Sequence, residues 1–159
     1  MIKEDNFIFN NVDIILEEEN IKIKKHFKKQ KKDNYQCFYP LSITNEFLFK
    51  LNSKINDYII KLGEDRLLDF HLAKEFYIQN IKNNIFNYNE YDTKNLLITN
   101  RIFNYILFLD PGKIKFINLN HTENVLKNSL LIFPEEYTHN FEFVNSKDIV
   151  ILNGFVNFI

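Results

Sequence analysis

The chain contains few side chains of the types that carry out chemistry at an active site. It has four histidines, His26, His71, His121 and His139, and a single cysteine, Cys37. It has no Gly-rich phosphate-binding loop, no Ser/His/Asp order for nucleophilic catalysis and no zinc-ligand spacing. A lone imidazole binds a metal only when further ligands lie beside it. Any such chemistry therefore depends on the elements that surround each histidine.

The neighbouring residues in the sequence indicate different roles for these four histidines and one cysteine. His26 lies in a lysine-rich run, His71 has apolar neighbours typical of a strand, and His121 is interpreted as a solvated loop residue. Cys37 stands beside aromatic residues, which favours a packed thiol. One cysteine can form neither an internal disulfide nor a thiolate metal cluster. His139, which follows a Phe-Pro pair, is left as the main candidate.

Composition describes one ordinary globular domain, residues 1–159. The chain is 45% hydrophobic and 26% charged, with a net charge of −1, which excludes wholesale disorder. No apolar run approaches the roughly 18–20 residues that span a bilayer, and the N-terminus does not resemble a signal peptide. A pI near 6.4 gives no general attraction to nucleic acid. We therefore expect a cytoplasmic protein, of a cell or a virus-infected host, without a membrane or nucleic-acid partner.

Residue usage also reflects coding bias. The chain has 24 Asn, 22 Ile, 18 Lys and 17 Phe but only one Ala and two Arg. Codons of the abundant residues are AT-rich, which indicates an AT-rich genome. The scarcity of Arg therefore says little about function.

The first 40 residues are predicted to form a β-prone and basic segment. Phe7–Phe9 and Val12–Leu16 are short β-prone runs, and Lys22–Lys32 is rich in lysine. A nucleic-acid contact is one interpretation of the lysines. Because no aromatic residues alternate with them and acids precede them, we interpret the run as a solvated loop or exposed ribbon.

The clearest helix is predicted over residues 43–62, packed outside a β-core. Thr44 can cap its start and Gly63 can end it. Apolar residues recur at spacings of three and four, which places them on one face. These residues are Ile43, Phe47, Leu51, Ile55, Ile59 and Leu62.

From residue 67 onward the apolar period changes to two, which is typical of strands. A strong turn signal stands at 110–112, Asp-Pro-Gly. Short strands without intervening helices favour an all-β sandwich or barrel. The predicted strands are Leu67–Leu72, Glu75–Ile81, Leu96–Leu109, Lys113–Ile117, Ser129–Phe133, Asn140–Val144 and Asp148–Ile159.

Residues 40–159 resemble the 2-oxoglutarate/Fe(II)-dependent dioxygenases, in particular the prolyl-hydroxylase-like members of bacteria and phages. Residues 129–144 (SLLIFPEEYTHNFEFV) resemble the end of their double-stranded β-helix, where a strand ending in Phe-Pro precedes a metal-binding His. Residues 105–116 resemble a strand containing a tyrosine, and 154–158 (GFVNF) resemble the closing strand. The resemblance implies a mainly β, α+β fold: a jelly-roll with one or more N-terminal helices packed outside it.

The resemblance also implies a metal site. The family holds Fe(II) with two His and one carboxylate and leaves positions open for 2-oxoglutarate and oxygen. His139 matches the distal histidine. The proximal motif should lie within residues 86–100, which contain no histidine; the nearest approximation is Glu90-Tyr-Asp92, with Asp92 as the candidate ligand. The expected triad is therefore incomplete.

The co-substrate site implied by the resemblance is also altered. The family places a basic residue about ten positions after the distal His, where it pairs with a carboxylate of 2-oxoglutarate. That position is Ile149 here, and Lys147 is the nearest cation. Lys147 and Tyr105 are thus the candidate cofactor-binding residues, although lysine lacks the bidentate fork of arginine.

Three functions follow from these residues. The preferred one is a dioxygenase-like protein with an incomplete metal triad, inactive or altered, which keeps a mouth that binds a small molecule or a protein side chain and needs no cofactor. The second is an active hydroxylase that uses Fe(II) and 2-oxoglutarate with a non-standard triad. The third is a structural or interaction β-sandwich, for example a virion part, because one fold hosts many functions.

Overall fold

The computed structural model describes residues 7–31, 34–38, 45–62, 70–86, 101–137 and 140–158. The helices are α1 (Glu17–Lys29) and α2 (Asn45–Leu62). The strands are β1 (Phe9–Asn11), β2 (Asn34–Phe38), β3 (Phe70–Ile81), β4 (Arg101–Phe108), β5 (Gly112–Phe116), β6 (His121–Val125), β7 (Ser129–Pro134), β8 (Phe141–Phe143) and β9 (Ile149–Phe158).

The strands form two antiparallel sheets. The large sheet has the order β1-β7-β4-β9-β3-β2, and the small sheet has the order β6-β5-β8. From β4 to β9 the chain passes repeatedly between the two sheets, as in a jelly-roll. The predicted mainly β fold, a double-stranded β-helix with helices outside it, is confirmed.

Side chains alternate along each strand, so every strand of the large sheet sends residues to both of its faces. Both faces are buried, one by the helices and the other by the small sheet. On β4, Phe103, Tyr105 and Leu107 pack with residues of α1 and α2 in what we call the helix-facing cluster. Ile106 and Phe108 point the other way and pack with the small sheet in the inter-sheet cluster. Because both faces are buried, the sequences of the central strands are nearly continuous apolar runs.

Helix α2 supplies much of the helix-facing cluster. The predicted stripe of Phe47, Leu51, Ile55 and Ile59 is buried, with exposed fractions of 0–3%. Tyr58 joins it: its ring meets Phe103 edge-on at 4.7 Å between centroids, and its hydroxyl donates to the Phe7 carbonyl at 2.7 Å. The stripe is confirmed at these four positions. Ile43, the cap Thr44 and the stop Gly63 lie outside the described residues, as does the side chain of Leu62.

The prediction for the basic run was wrong, because most of it is helix α1. Ile23 and Phe27, one helical turn apart, are buried in the helix-facing cluster. Acids fill the first turn and bases the last turn, which complements the helix dipole. Two buried apolar residues among so many lysines made too short a periodic signal to predict this helix.

Other departures concern strand boundaries. The two strands predicted over 67–81 are one strand, β3, whose register shifts between Leu72 and Phe76. His121 begins strand β6 rather than lying in a loop, and Asn34–Phe38, which includes Cys37, forms β2. The run 12–16 is not a strand, although Ile14 and Ile15 are buried.

Within the described residues, no helix is both long enough and apolar enough to cross a lipid bilayer.

Candidate ligand pocket between the sheets

Phenylalanine rings dominate the space between the two sheets. Phe116 and Phe133 lie 5.2 Å apart between ring centroids, and Phe133 and Phe141 lie 5.6 Å apart. Phe86, just beyond β3, stacks edge-on against Phe141 at 5.2 Å. Edge-to-face packing at these distances is the preferred arrangement of aromatic rings. It gives the inter-sheet space rigid, apolar walls.

Three carboxamide side chains interrupt these apolar walls. Gln79 on β3, Asn104 on β4 and Asn153 on β9 are only 1%, 5% and 4% exposed. By strand alternation all three lie on the inter-sheet face of the large sheet. Burying a carboxamide costs free energy unless it is hydrogen-bonded, so each is expected to have partners.

Hydrogen bonds are defined for some of the polar atoms of these carboxamides. Gln79 Nε2 donates to Asn153 Oδ1 at 2.9 Å, which orients the Asn153 amide. Asn104 Nδ2 donates to Glu135 Oε2, also at 2.9 Å. The Nδ2 of Asn153 is not one of the buried atoms left without a partner in the described part of the chain.

Two of the three carboxamides, Asn104 and Asn153, line a narrow pocket. Its lining also includes Phe86, Phe133, Phe141 and Phe155. The pocket encloses about 260 Å³ including its opening, and its interior has room for roughly one water. A larger ligand would have to displace a wall, and half-buried Phe86 is the lining ring that belongs to neither sheet.

The pocket lacks a positive charge among the side chains that the structure describes. None of their Lys, Arg or His residues is buried. Asn104 is bonded to a carboxylate, that of Glu135. The described residues therefore do not fit a dicarboxylate such as 2-oxoglutarate, which calls for a cation and more space.

The predicted metal ligands His139 and Asp92, and the weaker candidate Glu90, lie outside the described residues. The described residues that precede Glu90 and those that follow His139 both contact or form part of the small sheet. Phe86, the last described residue before Glu90, packs on Phe141 and Phe143 of β8, and residue 139 stands two positions before β8. Within the described ranges, no three His, Cys, Asp or Glu side chains form a group that could hold a metal.

Lys147 lies apart from this pocket. It is exposed in the turn between β8 and β9, beside Lys113 and Asn145 on an outer depression. Ile149, at the position where the family has its basic residue, is buried in the inter-sheet cluster. No observation tests a carboxylate contact by Lys147, which stays a prediction.

Tyr105 belongs to the helix-facing cluster, on the opposite face of β4 from Ile106, and it also contributes to the lining of the inter-sheet pocket. Its phenol lies across Gly154, its partner on β9: a Cβ added to that glycine would stand 2.6 Å from Tyr105 Cζ. The absence of a side chain at Gly154 thus makes room for the ring. Co-substrate binding by Tyr105 also stays a prediction.

Two of the four histidines, His26 and His121, lie on different elements of the described structure. His26 is on α1, which packs against the helix-facing side of the large sheet. His121 pairs with Glu123 along β6, with 2.7 Å between Nε2 and Oε1.

The three carboxamides Gln79, Asn104 and Asn153 were not predicted from the sequence. In a chain with 24 Asn, single Asn residues attract little notice. The signal was a polar residue inside an apolar strand, as at Asn104 in RIFNYILF and Asn153 in IVILNGFVNF.

The two sheets and their strand order define this chain as having the fold of 2-oxoglutarate/Fe(II) oxygenases of the prolyl hydroxylase type. Neither a protein-family model nor a curated protein sequence matches it in sequence comparisons. The likeness therefore rests on structure.

One similar structure is the viral collagen prolyl hydroxylase of Paramecium bursaria Chlorella virus-1 in its 2OG complex. It matches with a TM-score of 0.70 at 12% identity, over 100% of this chain and 99% of the viral one. A Pseudomonas putida prolyl-4-hydroxylase matches with a TM-score of 0.57 at 8% identity, over 99% and 97% of the two chains. A prolyl hydroxylase of Trichoplax adhaerens, in complex with a hypoxia-inducible-factor peptide fragment, also has a TM-score of 0.57, at 10% identity over 98% and 86%. Identities this low establish a common fold.

Proposed function

We propose that this protein is a ligand-binding relative of the prolyl-hydroxylase-like oxygenases that does not use the standard Fe(II) and 2-oxoglutarate chemistry. It keeps the double-stranded β-helix and a pocket between the sheets. It differs in the groups that this pocket offers to a ligand.

The inter-sheet face of β9 carries this proposal. Its successive positions are Ile149, Ile151, Asn153 and Phe155, all buried. A co-substrate with a free carboxylate between the sheets would meet aliphatic, amide and aromatic groups from this strand. Burying that charge without a cation is strongly unfavourable.

The lack of histidine in residues 86–100 supports the same proposal. Asp92 and Glu90 could each supply a carboxylate, but the segment holds no imidazole to accompany His139. A site with fewer imidazoles binds a divalent transition metal less strongly.

Thermal unfolding of the full chain tests the proposal. The protein is heated alone, with Mn(II) as a redox-inert substitute for Fe(II), with 2-oxoglutarate, and with both. An oxygenase-type site at a hundred times the dissociation constant would be stabilised by about 2.7 kcal/mol. We expect no stabilisation that requires both additives.

The variant His139→Ala makes this experiment specific. Stabilisation by Mn(II) alone that persists in the variant would reflect metal bound elsewhere, and is compatible with the proposal. Stabilisation by 2-oxoglutarate that requires Mn(II) and disappears in the variant would overturn the proposal in favour of a hydroxylase with a non-standard triad.

A further inference from the structure

The start of β5 and the turn before β9 enclose a depression on the outer surface, which we call the outer depression. Residues 111–113 and 144–147 line it together with Asn124 and Ile149, and none of them lines the inter-sheet pocket. Its volume is about 340 Å³. Sites for small molecules typically have volumes of roughly 300–1,000 Å³. The outer depression therefore has the size of a small-molecule site.

Two cations line the outer depression without a counter-charge. Neither the Lys113 nor the Lys147 ammonium group forms an ion pair with any described residue. The nearest acids along the chain are engaged elsewhere: Asp110 pairs with Lys24, and Asp148 accepts a backbone N–H at 3.2 Å. The described residues that line the depression include no Asp or Glu. The depression is therefore positively charged.

Asn145 fixes the shape of the outer depression. Its Oδ1 accepts the Lys113 N–H at 2.7 Å, which joins the turn before β9 to β5. Its backbone N–H and carbonyl both bond to the Asn84 side chain, at 2.7 and 3.2 Å. Its Nδ2 is buried and has no hydrogen-bond partner in the described part of the chain. A donor without an acceptor leaves a partial positive charge in the wall, which adds to the charge of the lysines.

This arrangement favours a phosphate ester over a carboxylate. A phosphate monoester carries a charge of about −1.5 to −2 near neutral pH, which two lysines can balance, whereas a carboxylate carries only one negative charge. Lysine binds phosphate as a point charge, and a carboxylate is better matched by the fork of arginine. Pro111 and Val144 line the same depression and supply apolar surface for the organic part of an ester.

From these contacts we propose that the outer depression binds a small phosphate monoester. Lys113 and Lys147 hold the phosphate group, and Pro111 and Val144 contact the organic substituent. The site is independent of the proposed function, because it shares no lining residue with the inter-sheet pocket.

Titration calorimetry of the full chain with phenyl phosphate, benzoate and inorganic phosphate tests the ligand class. Benzoate keeps the ring but carries one charge, and inorganic phosphate lacks the ring. We expect phenyl phosphate to bind more tightly than either, by about fivefold over benzoate, and to bind more weakly as salt is added. Binding of benzoate or inorganic phosphate as tight as that of phenyl phosphate, or no binding of phenyl phosphate, would overturn the inference.

Charge-removing variants test the two lysines. Lys113→Gln and Lys147→Gln should each weaken phenyl phosphate binding by about threefold to fivefold, as expected for exposed charges, and leave thermal unfolding unchanged. Lys28→Gln, an exposed residue of α1, makes the same change in net charge and should not alter binding. Equal effects of all three variants would show attraction by net charge alone and would overturn the site.

Vesicles that contain phosphatidic acid test a membrane source of the same phosphate group. We expect no co-sedimentation of the protein with them. Co-sedimentation that is lost in Lys113→Gln and Lys147→Gln would overturn the choice of a small molecule as the ligand.

Discussion

The two faces of the large sheet are built from the same strands and have different contents. On β4, Tyr105 and Leu107 face the helices, whereas Asn104 and Ile106 face the small sheet. The helix-facing cluster consists of aliphatic and aromatic side chains under α1 and α2, and α1 also buries Glu19 and Asn20, the latter bonded to the Leu109 carbonyl and to Asn128. The inter-sheet face holds Gln79, Asn104 and Asn153 and leaves a pocket.

This contrast assigns different tasks to the two faces. Helices can adjust their position until an apolar face is sealed, so the helix-facing side stabilises the molecule. The separation of two sheets is limited by their strands and connections, which leaves space where ring side chains do not meet. Buried polar groups placed in such a space cost stability, and they suit a site that binds something.

The largest expected loss of stability comes from a cavity in the helix-facing cluster. Leu51→Ala should lower the free energy of unfolding by about 2–5 kcal/mol, because Leu51 is fully buried and its loss leaves a cavity. Urea denaturation measures this. The matched control is Phe49→Ala in the same helix: Phe49 is 74% exposed, and its change should stay within about 0.5 kcal/mol. Equal costs at both positions would contradict the assigned helix face.

Filling the space at Gly154 should have the next largest effect. Gly154→Ala places a Cβ 2.6 Å from Tyr105 Cζ, so the ring must move, at a cost of about 1–3 kcal/mol. Combining it with Tyr105→Leu should recover part of this cost in a double-mutant cycle. Strictly additive effects would show that the ring does not lie on this glycine.

Mutations on the inter-sheet face should have a different effect on stability, because apolar residues can replace the hydrogen-bonded pair Gln79 and Asn153. Asn153→Leu leaves Gln79 Nε2 without its 2.9 Å acceptor and should cost about 1–2 kcal/mol. The double variant Gln79→Leu/Asn153→Leu should recover much of that stability. A double variant less stable than the sum of the single ones would mean that the pair is structural.

The smallest expected effect concerns the junction of α1 with the sheets. Lys24 pairs with Asp110, whose other oxygen accepts the Val150 N–H at 2.9 Å. Because both charged side chains are partly exposed, Lys24→Ala should cost at most about 1 kcal/mol, and this cost should become smaller at high salt, which screens the ion pair. Lys25→Ala, an exposed neighbour on the same helix, should be neutral. A larger loss at Lys25 than at Lys24 would contradict this junction.

Much of the fold could be predicted from local patterns. The stripe of Phe47, Leu51, Ile55 and Ile59 identified α2, because a period near 3.6 places those side chains on one face. Period-two patterns and the turn at 110–112 located most strands from β4 onward. Helix α1 escaped prediction because only Ile23 and Phe27 give it an apolar face, and a pair of residues is too short a pattern to distinguish helix from loop.

The candidate site was predictable to a lesser extent. The sequence identified His139 and the lack of an imidazole in residues 86–100, and these remain outside the described residues. It did not identify Gln79, Asn104 and Asn153, which stand on three strands and are separated by up to 74 positions. Lys147 is the cation nearest to the expected position after His139, it is exposed in the turn before β9, and its role stays a prediction.

The sequence by itself determined most element types and the apolar face of α2, because alternation and helical periodicity are properties of neighbouring residues. The double-stranded β-helix was implied by the resemblance to the oxygenases. Only the tertiary structure decided which buried amides share a face and whether a cation reaches them. Strand order brings together residues far apart in the chain, and no local pattern encodes which strands will be neighbours.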